Sequence, residues 1–153
     1  MKFYRVFLCL LPLFTVLSCT VRNQQAAAPQ EGIKGRVTFS EGNLMPGPGK
    51  NTPAPKGVQR NVFIYAVATA ADVVGEAPLY TTVNRPLVAK VKTDTAGFFQ
   101  CKLKPGRYSV FTKEKDGRLF SSLSNDKGEL SPAEVLPNQV LEYNILVNYG
   151  AVY

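Results

Sequence analysis

Histidine does not occur among the 153 residues of this chain. Its absence excludes Ser-His-Asp and Cys-His catalysis, histidine-containing zinc sites and acid–base chemistry by imidazole. Cysteine is scarce, with only Cys9, Cys19 and Cys101, and these cannot assemble a four-thiolate metal site. No GxGxxG or P-loop glycine pattern occurs, so the familiar phosphate cradles are missing as well. Basic and aromatic residues do not interleave as they do on nucleic-acid-binding surfaces. No apolar run reaches the ~20 residues of a spanning helix. The longest, residues 6–17, is broken by Pro12.

That run is the most telling stretch present. Lys2 and Arg5 precede it, and Ser18, a small residue, closes it. A secretory signal needs these three parts in this order. Cys19 follows directly, and Val16-Leu17-Ser18-Cys19 resembles the lipobox of bacterial lipoproteins. The resemblance implies cleavage after Ser18 and acylation through the Cys19 sulfur, with membrane attachment by acyl chains. Residues 1–18 are thus expected to be a signal peptide and residues 19–31 a lipidated cysteine with a flexible tether. The tether region is polar and rich in Ala and Gln, without periodicity. Its eleven residues from 20 to 30 span at most about 40 Å, and about 18 Å as a flexible coil.

Cleavage would leave 135 residues, enough for one domain with a real core. The formal charge would fall from +7 to +5 with the loss of Lys2 and Arg5. Lys90, Lys92, Lys102 and Lys104 are the only local concentration of charge, and they alternate as on the solvent face of strands. Attraction to anionic lipid or polysaccharide is the alternative reading of that alternation. Export makes nucleic acid an unsuitable partner. Cys101 would be the only thiol in the folded domain, so no internal disulfide can form. It alternates with Phe99 and Leu103, which predicts a buried, inert side chain.

From residue 32 the pattern is that of strands. Residues 32–39 alternate and end in the turn-rich stretch 40–57. Residues 60–68 are dense in β-branched and aromatic side chains. Residues 69–82 suit one short helical turn before Pro78. Further strands are predicted at 87–93, 97–103, 107–115, 118–123, 133–136 and 139–148, with Asp116-Gly117 as a two-residue primed turn. About eight short strands at regular spacing predict an all-β, antiparallel sandwich over residues 32–153. The expected inward set is Val37, Val62, Ile64, Val91, Phe99, Cys101, Leu103, Tyr108, Val110, Leu141, Tyr143, Ile145 and Val147.

Residues Thr93-Asp94-Thr95-Ala96-Gly97-Phe98-Phe99, then Leu103, Pro105-Gly106 and Tyr108, resemble the hallmark of carboxypeptidase regulatory-like domains. These are transthyretin-like, or prealbumin-like, β-sandwiches. Gly32-Ile33-Lys34-Gly35-Arg36-Val37 is similar to their first strand and Arg60-Asn61-Val62-Phe63-Ile64-Tyr65 to their second. The insertion Met45-Pro46-Gly47-Pro48 departs from the commonest form and resembles that of small Bacteroidota lipoproteins. The resemblance implies an accessory module without catalytic residues.

Among carboxylates, Asp72/Glu76 and Asp126/Glu129 are the nearest to a paired acid–base arrangement. Asp126 and Glu129, with Asn125, are also the nearest to a calcium loop, although their spacing matches none. No metal or cofactor is expected. Alternation turns Phe63, Tyr65, Phe98 and Phe111 away from the predicted core, and a shared sheet would make them an aromatic interaction patch. The competing expectation is that the 40–57 stretch covers them. The leading functional expectation is a non-catalytic binding or structural module on the outer membrane, lipid-anchored and facing the periplasm. Its partners are then the membrane and an envelope protein or glycan. A carbohydrate-binding accessory of nutrient uptake, with Phe63, Tyr65 and Phe98 as stacking platforms, is the alternative. An enzyme of unrecognised type is the third.

Overall fold

The computed structural model of the chain describes residues 30–45, 47–49 and 53–153. The signal segment, Cys19, nearly all of the tether and Pro46 therefore lie outside the described residues. Strands dominate what is described. They are β1 (Gly32–Asn43), β2 (Lys56–Gly57), β3 (Asn61–Ala66), β4 (Val73–Glu76), β5 (Leu79–Val83) and β6 (Leu87–Lys92). There follow β7 (Phe98–Lys102), β8 (Gly106–Lys113), β9 (Leu119–Phe120), β10 (Pro132–Val135), β11 (Val140–Glu142) and β12 (Ile145–Val152). They form a five-stranded and a seven-stranded sheet packed as an all-β sandwich.

The smaller sheet is organised by β1. One edge of β1 pairs in parallel with β11 and then β12, while its other edge pairs antiparallel with β7 and then β2. The larger sheet runs β4-β5-β9-β8-β3-β6, with β10 also on β8, and its pairs are all antiparallel. The antiparallel-rich sandwich matches the expected fold class, and the two parallel pairs on β1 add what the sequence did not mark. The predicted 139–148 strand is divided into β11 and β12. The break falls where the chain passes Gly35: a Cβ there would lie 1.9 Å from the Tyr143 carbonyl oxygen. The Tyr143 N–H donates to the Lys34 carbonyl at 2.8 Å, and the Arg36 N–H donates to Asn144 Oδ1 at 2.9 Å. A side-chain oxygen thus replaces a backbone acceptor and shifts the chain from one strand into the next.

Residues 69–82 hold more than the single helical turn expected of them. A 3₁₀ turn at Ala70–Asp72 leads into the β4–β5 hairpin. The N–H and hydroxyl of Thr69 both donate to Asp72 Oδ2 and hold its carboxyl below the usual carboxylate range.

Three tight connections share one design. In 94–98, 114–118 and 125–129 the first residue's N–H donates to the fifth residue's carbonyl, and the fourth residue, a glycine, donates back to the first carbonyl. Gly97, Gly117 and Gly128 have φ of 90°, 88° and 70°, the left-handed region that glycine enters without strain. This is a three-residue hairpin loop with a glycine bulge. Asp116-Gly117 is therefore not the two-residue primed turn expected, because Asp116 does not take the positive φ that such a turn demands.

The main core fills the space between the sheets. Ile33, Val37, Phe99 and Val147 of the smaller sheet meet Val62, Ile64, Val110 and Phe120 of the larger. All thirteen residues of the expected inward set belong to this core or pack against it. At one end it encloses charge: Arg60 Nε donates to Glu114 Oε2 at 3.0 Å, with their side chains 10% and 0% exposed. Thr112 Oγ1 and Tyr149 Oη donate to the same carboxylate, and the Arg60 guanidinium lies 5.7 Å from the Phe39 ring centre.

Two expected outcomes follow, each read from urea unfolding. Gly97→Ala adds a Cβ 2.2 Å from the Val37 carbonyl oxygen, whereas Gly117→Ala, at nearly the same φ, meets nothing within 4 Å. Gly117→Ala should cost about 1 kcal/mol of backbone strain alone, and Gly97→Ala should cost clearly more; equal losses would refute the close-approach account. Glu114→Ala strands a buried guanidinium and should cost about 3–5 kcal/mol. Adding Arg60→Met should restore part of that loss, and a further drop would show that the pair is not the cause.

Candidate functional site

Strand alternation and register place the expected aromatic patch. On β3, Val62 and Ile64 enter the main core, so Phe63 and Tyr65 emerge on the outer face of the larger sheet. Phe111 sits opposite Phe63 across β3–β8 and shares that face. The three rings do meet. Phe63 stacks on Tyr65 at 6.3 Å, and Tyr65 meets Phe111 edge-on at 5.7 Å. They are not all open to solvent, however: Phe111 is fully buried and Tyr65 is 9% exposed.

The described residues of the 40–57 stretch are not what covers them. Ala68, Tyr80, Val83, Leu119 and Leu130 close over the rings as a second core, with Val73 packed alongside. Ser109 Oγ accepts from the Ala68 N–H at 2.9 Å, and the Ala68 carbonyl accepts from the Leu130 N–H at 2.8 Å. These bonds fasten the cover to β8 and to the chain before β10. The β4–β5 hairpin, for which the sequence showed only a helical turn, supplies Val73, Tyr80 and Val83. Of the three, only Phe63 remains partly open to solvent.

Phe98 lies elsewhere. It opens β7 on the smaller sheet, is 55% exposed, and carries the Arg36 guanidinium 5.1 Å from its ring centre. Arg36 is itself fixed by donation from Nε to the Ala96 carbonyl at 2.8 Å. Asp94 Oδ1 accepts from the Phe98 N–H at 2.8 Å, so the turn orients the ring. Beside it runs an open groove of about 680 Å³ where β6 and β7 part. Lys34, Lys92, Asp94, Phe98, Gln100 and Glu142 furnish its chemistry. One cross-strand row brings Lys34 beside Gln100 on one neighbour and Glu142 on the other. The groove thus offers an aromatic surface, an amide and charges of both signs, a set suited to binding a polar surface or chain.

One carboxylate of each candidate pair is engaged. Glu129 pairs with Arg107 and accepts from Asn125 Nδ2 at 2.8 Å. Asn125 Oδ1 in turn accepts the N–H groups of Lys127 and Glu129. A guanidinium therefore occupies the oxygen that a calcium ion would need, and Asp126 stays exposed on the turn. Asp72 is taken up by Thr69, while Glu76 is exposed at the end of β4. Among the described residues no three acidic or cysteine side chains cluster in a metal-binding arrangement. Cys101 packs against the main core, and burial pushes its thiol pKa up, which disfavours the nucleophilic thiolate.

Compared with family models, with curated proteins and with solved structures, the chain finds no match. What the geometry defines is an all-β sandwich with an open groove at the meeting of two sheet edges.

Proposed function

We propose that this chain is a non-catalytic, lipid-anchored binding module of a Gram-negative envelope. The groove between β6 and β7 is its contact surface. The observation that carries this reading is Phe98: an aromatic side chain more than half exposed, aimed by the Asp94 turn and flanked by Arg36. An aromatic ring beside a recess that carries a few polar and charged side chains is the usual make-up of a binding site. The engagement of Glu129 by Arg107 and of Asp72 by Thr69 supports binding over hydrolysis.

The anchor is Cys19, acylated after cleavage at Ser18, with the domain on the periplasmic side of the outer membrane. No helix among the described residues is long and apolar enough to cross a membrane. Two or three acyl chains anchor stably where one holds only marginally, since each buried CH₂ contributes about 0.8 kcal/mol. Labelling of cells with a fatty-acid probe should mark the wild type and leave Cys19→Ala unmarked; equal labelling removes the anchor. Protease added to intact cells should leave the wild-type domain whole, and its digestion would move it to the cell surface.

A second reading, a carbohydrate-binding accessory of nutrient uptake, is favoured by the neighbours of Phe98. Gln100, Asp94 and Glu142 stand where they can receive sugar hydroxyls beside a stacking ring. Phe63 and Tyr65 contribute less, since Tyr65 is buried. On a glycan array Phe98→Ala should lose at least about fivefold in affinity, the low end of the ~1–3 kcal/mol commonly associated with a stacked ring. Unchanged binding would leave the protein-partner reading.

A further inference from the structure

The outer face of the larger sheet is closed on one half by the second core and open on the other. On the open half, Asn61 of β3 has Lys92 of β6 on one side and Lys113 of β8 on the other. The next outward row places Lys90 beside Phe63. All three lysines are exposed. Two of their ammonium groups converge on one ring: Lys90 Nζ lies 5.1 Å and Lys113 Nζ 5.8 Å from the centre of Phe63. Phe63 is held in turn by stacking on the buried Tyr65.

This charge is unbalanced. Opposite charges across neighbouring strands would stabilise the sheet, and like charges oppose it. Yet Lys92 and Lys113 flank a neutral asparagine. The ion pairs among the described residues join Arg60 to Glu114, Arg107 to Glu129 and Arg118 to Asp116, and none reaches these lysines. The ring quadrupole draws two cations together without neutralising either. The grouping also differs from the one suggested by chain spacing: Lys102 lies on β7 in the other sheet and Lys104 in the turn after it.

We propose that this face docks on an anionic lipid leaflet, with Lys90, Lys92 and Lys113 on the headgroups and Phe63 at their centre. Charge complementarity selects an anionic partner. Extension selects a surface, because the three lysines stand on a pleated sheet face rather than around a concave cradle of convergent donors. The inference rests on the anchored reading only for bringing a membrane within reach. Each lysine held at such a leaflet raises binding roughly fivefold, an effect that salt weakens as the Debye length shortens to about 10 Å at 0.1 M.

The test is lysine-reactive labelling of the full chain on vesicles of phosphatidylcholine alone and of phosphatidylcholine mixed with phosphatidylglycerol. Labelling is read at each lysine by peptide mass. On the anionic vesicles Lys90, Lys92 and Lys113 should be labelled about fivefold less, with recovery at high salt and no change at Lys102 and Lys104. The exposed triple variant K90Q/K92Q/K113Q should lose the preference for anionic vesicles in sedimentation. Equal labelling of the three lysines on both vesicles overturns the proposal, as does a preference retained by the triple variant. Protection by dextran sulfate with none by vesicles also overturns it and gives the face to a polyanion. The mass of the Cys19 peptide from cells separates the two readings. An unacylated Cys19 with protected lysines refutes the anchor alone, and an acylated Cys19 with unprotected lysines refutes the docking face alone.

Discussion

Everything in this domain hangs on β1, which has neighbours along both edges for most of its length. Four strands take their register from it, two parallel and two antiparallel. Such crowding demands backbone contacts that a Cβ would forbid. Gly35 lies under the Tyr143 carbonyl and Gly97 under the Val37 carbonyl. The first contact turns β11 into β12. The second brings the β6–β7 turn against β1, where Gly97 accepts the Val37 N–H at 2.8 Å. Once β1 is so held, Ile33 and Val37 face the larger sheet and the main core closes around them.

The same turn that locks the sheets also makes the candidate groove. Asp94 closes the turn and orients Phe98, and Arg36, anchored on Ala96, covers part of the ring. Structural and recognition roles thus share one five-residue connection. Its two counterparts at 114–118 and 125–129 have the same backbone but different surroundings. The first caps the buried Arg60–Glu114 pair, and the second sets Glu129 on Arg107. One loop geometry serves three purposes because its first and fifth side chains are free to differ.

The outer face of the larger sheet shows how covering decides availability. Phe63, Tyr65 and Phe111 are equivalent by alternation. Yet the β4–β5 hairpin and the Ala68 and Leu130 segments bury two of them and leave the third among lysines. An apolar interaction patch was a fair expectation from period-two patterning. The cover came from residues whose sequence resembled a helical turn. Gly75 and the Ala77-Pro78 step gave no alternation long enough to reveal the hairpin.

The sequence alone determined the all-β class, the inward set of thirteen residues and the places where the chain must turn. These follow from local rules: side chains alternate along a strand, and glycine with Asp or Asn marks reversals. The order Val16-Leu17-Ser18-Cys19, on which the proposed anchor rests, is likewise a local feature of the chain. Only the tertiary structure decided the parallel pairing of β1 with β11 and β12, the second core, the capture of Glu129 by Arg107 and the gathering of Lys90 and Lys113 on Phe63 with Lys92 on the same face. Each joins residues remote in the chain. Local propensity has no term for such meetings, which depend on which strands become neighbours.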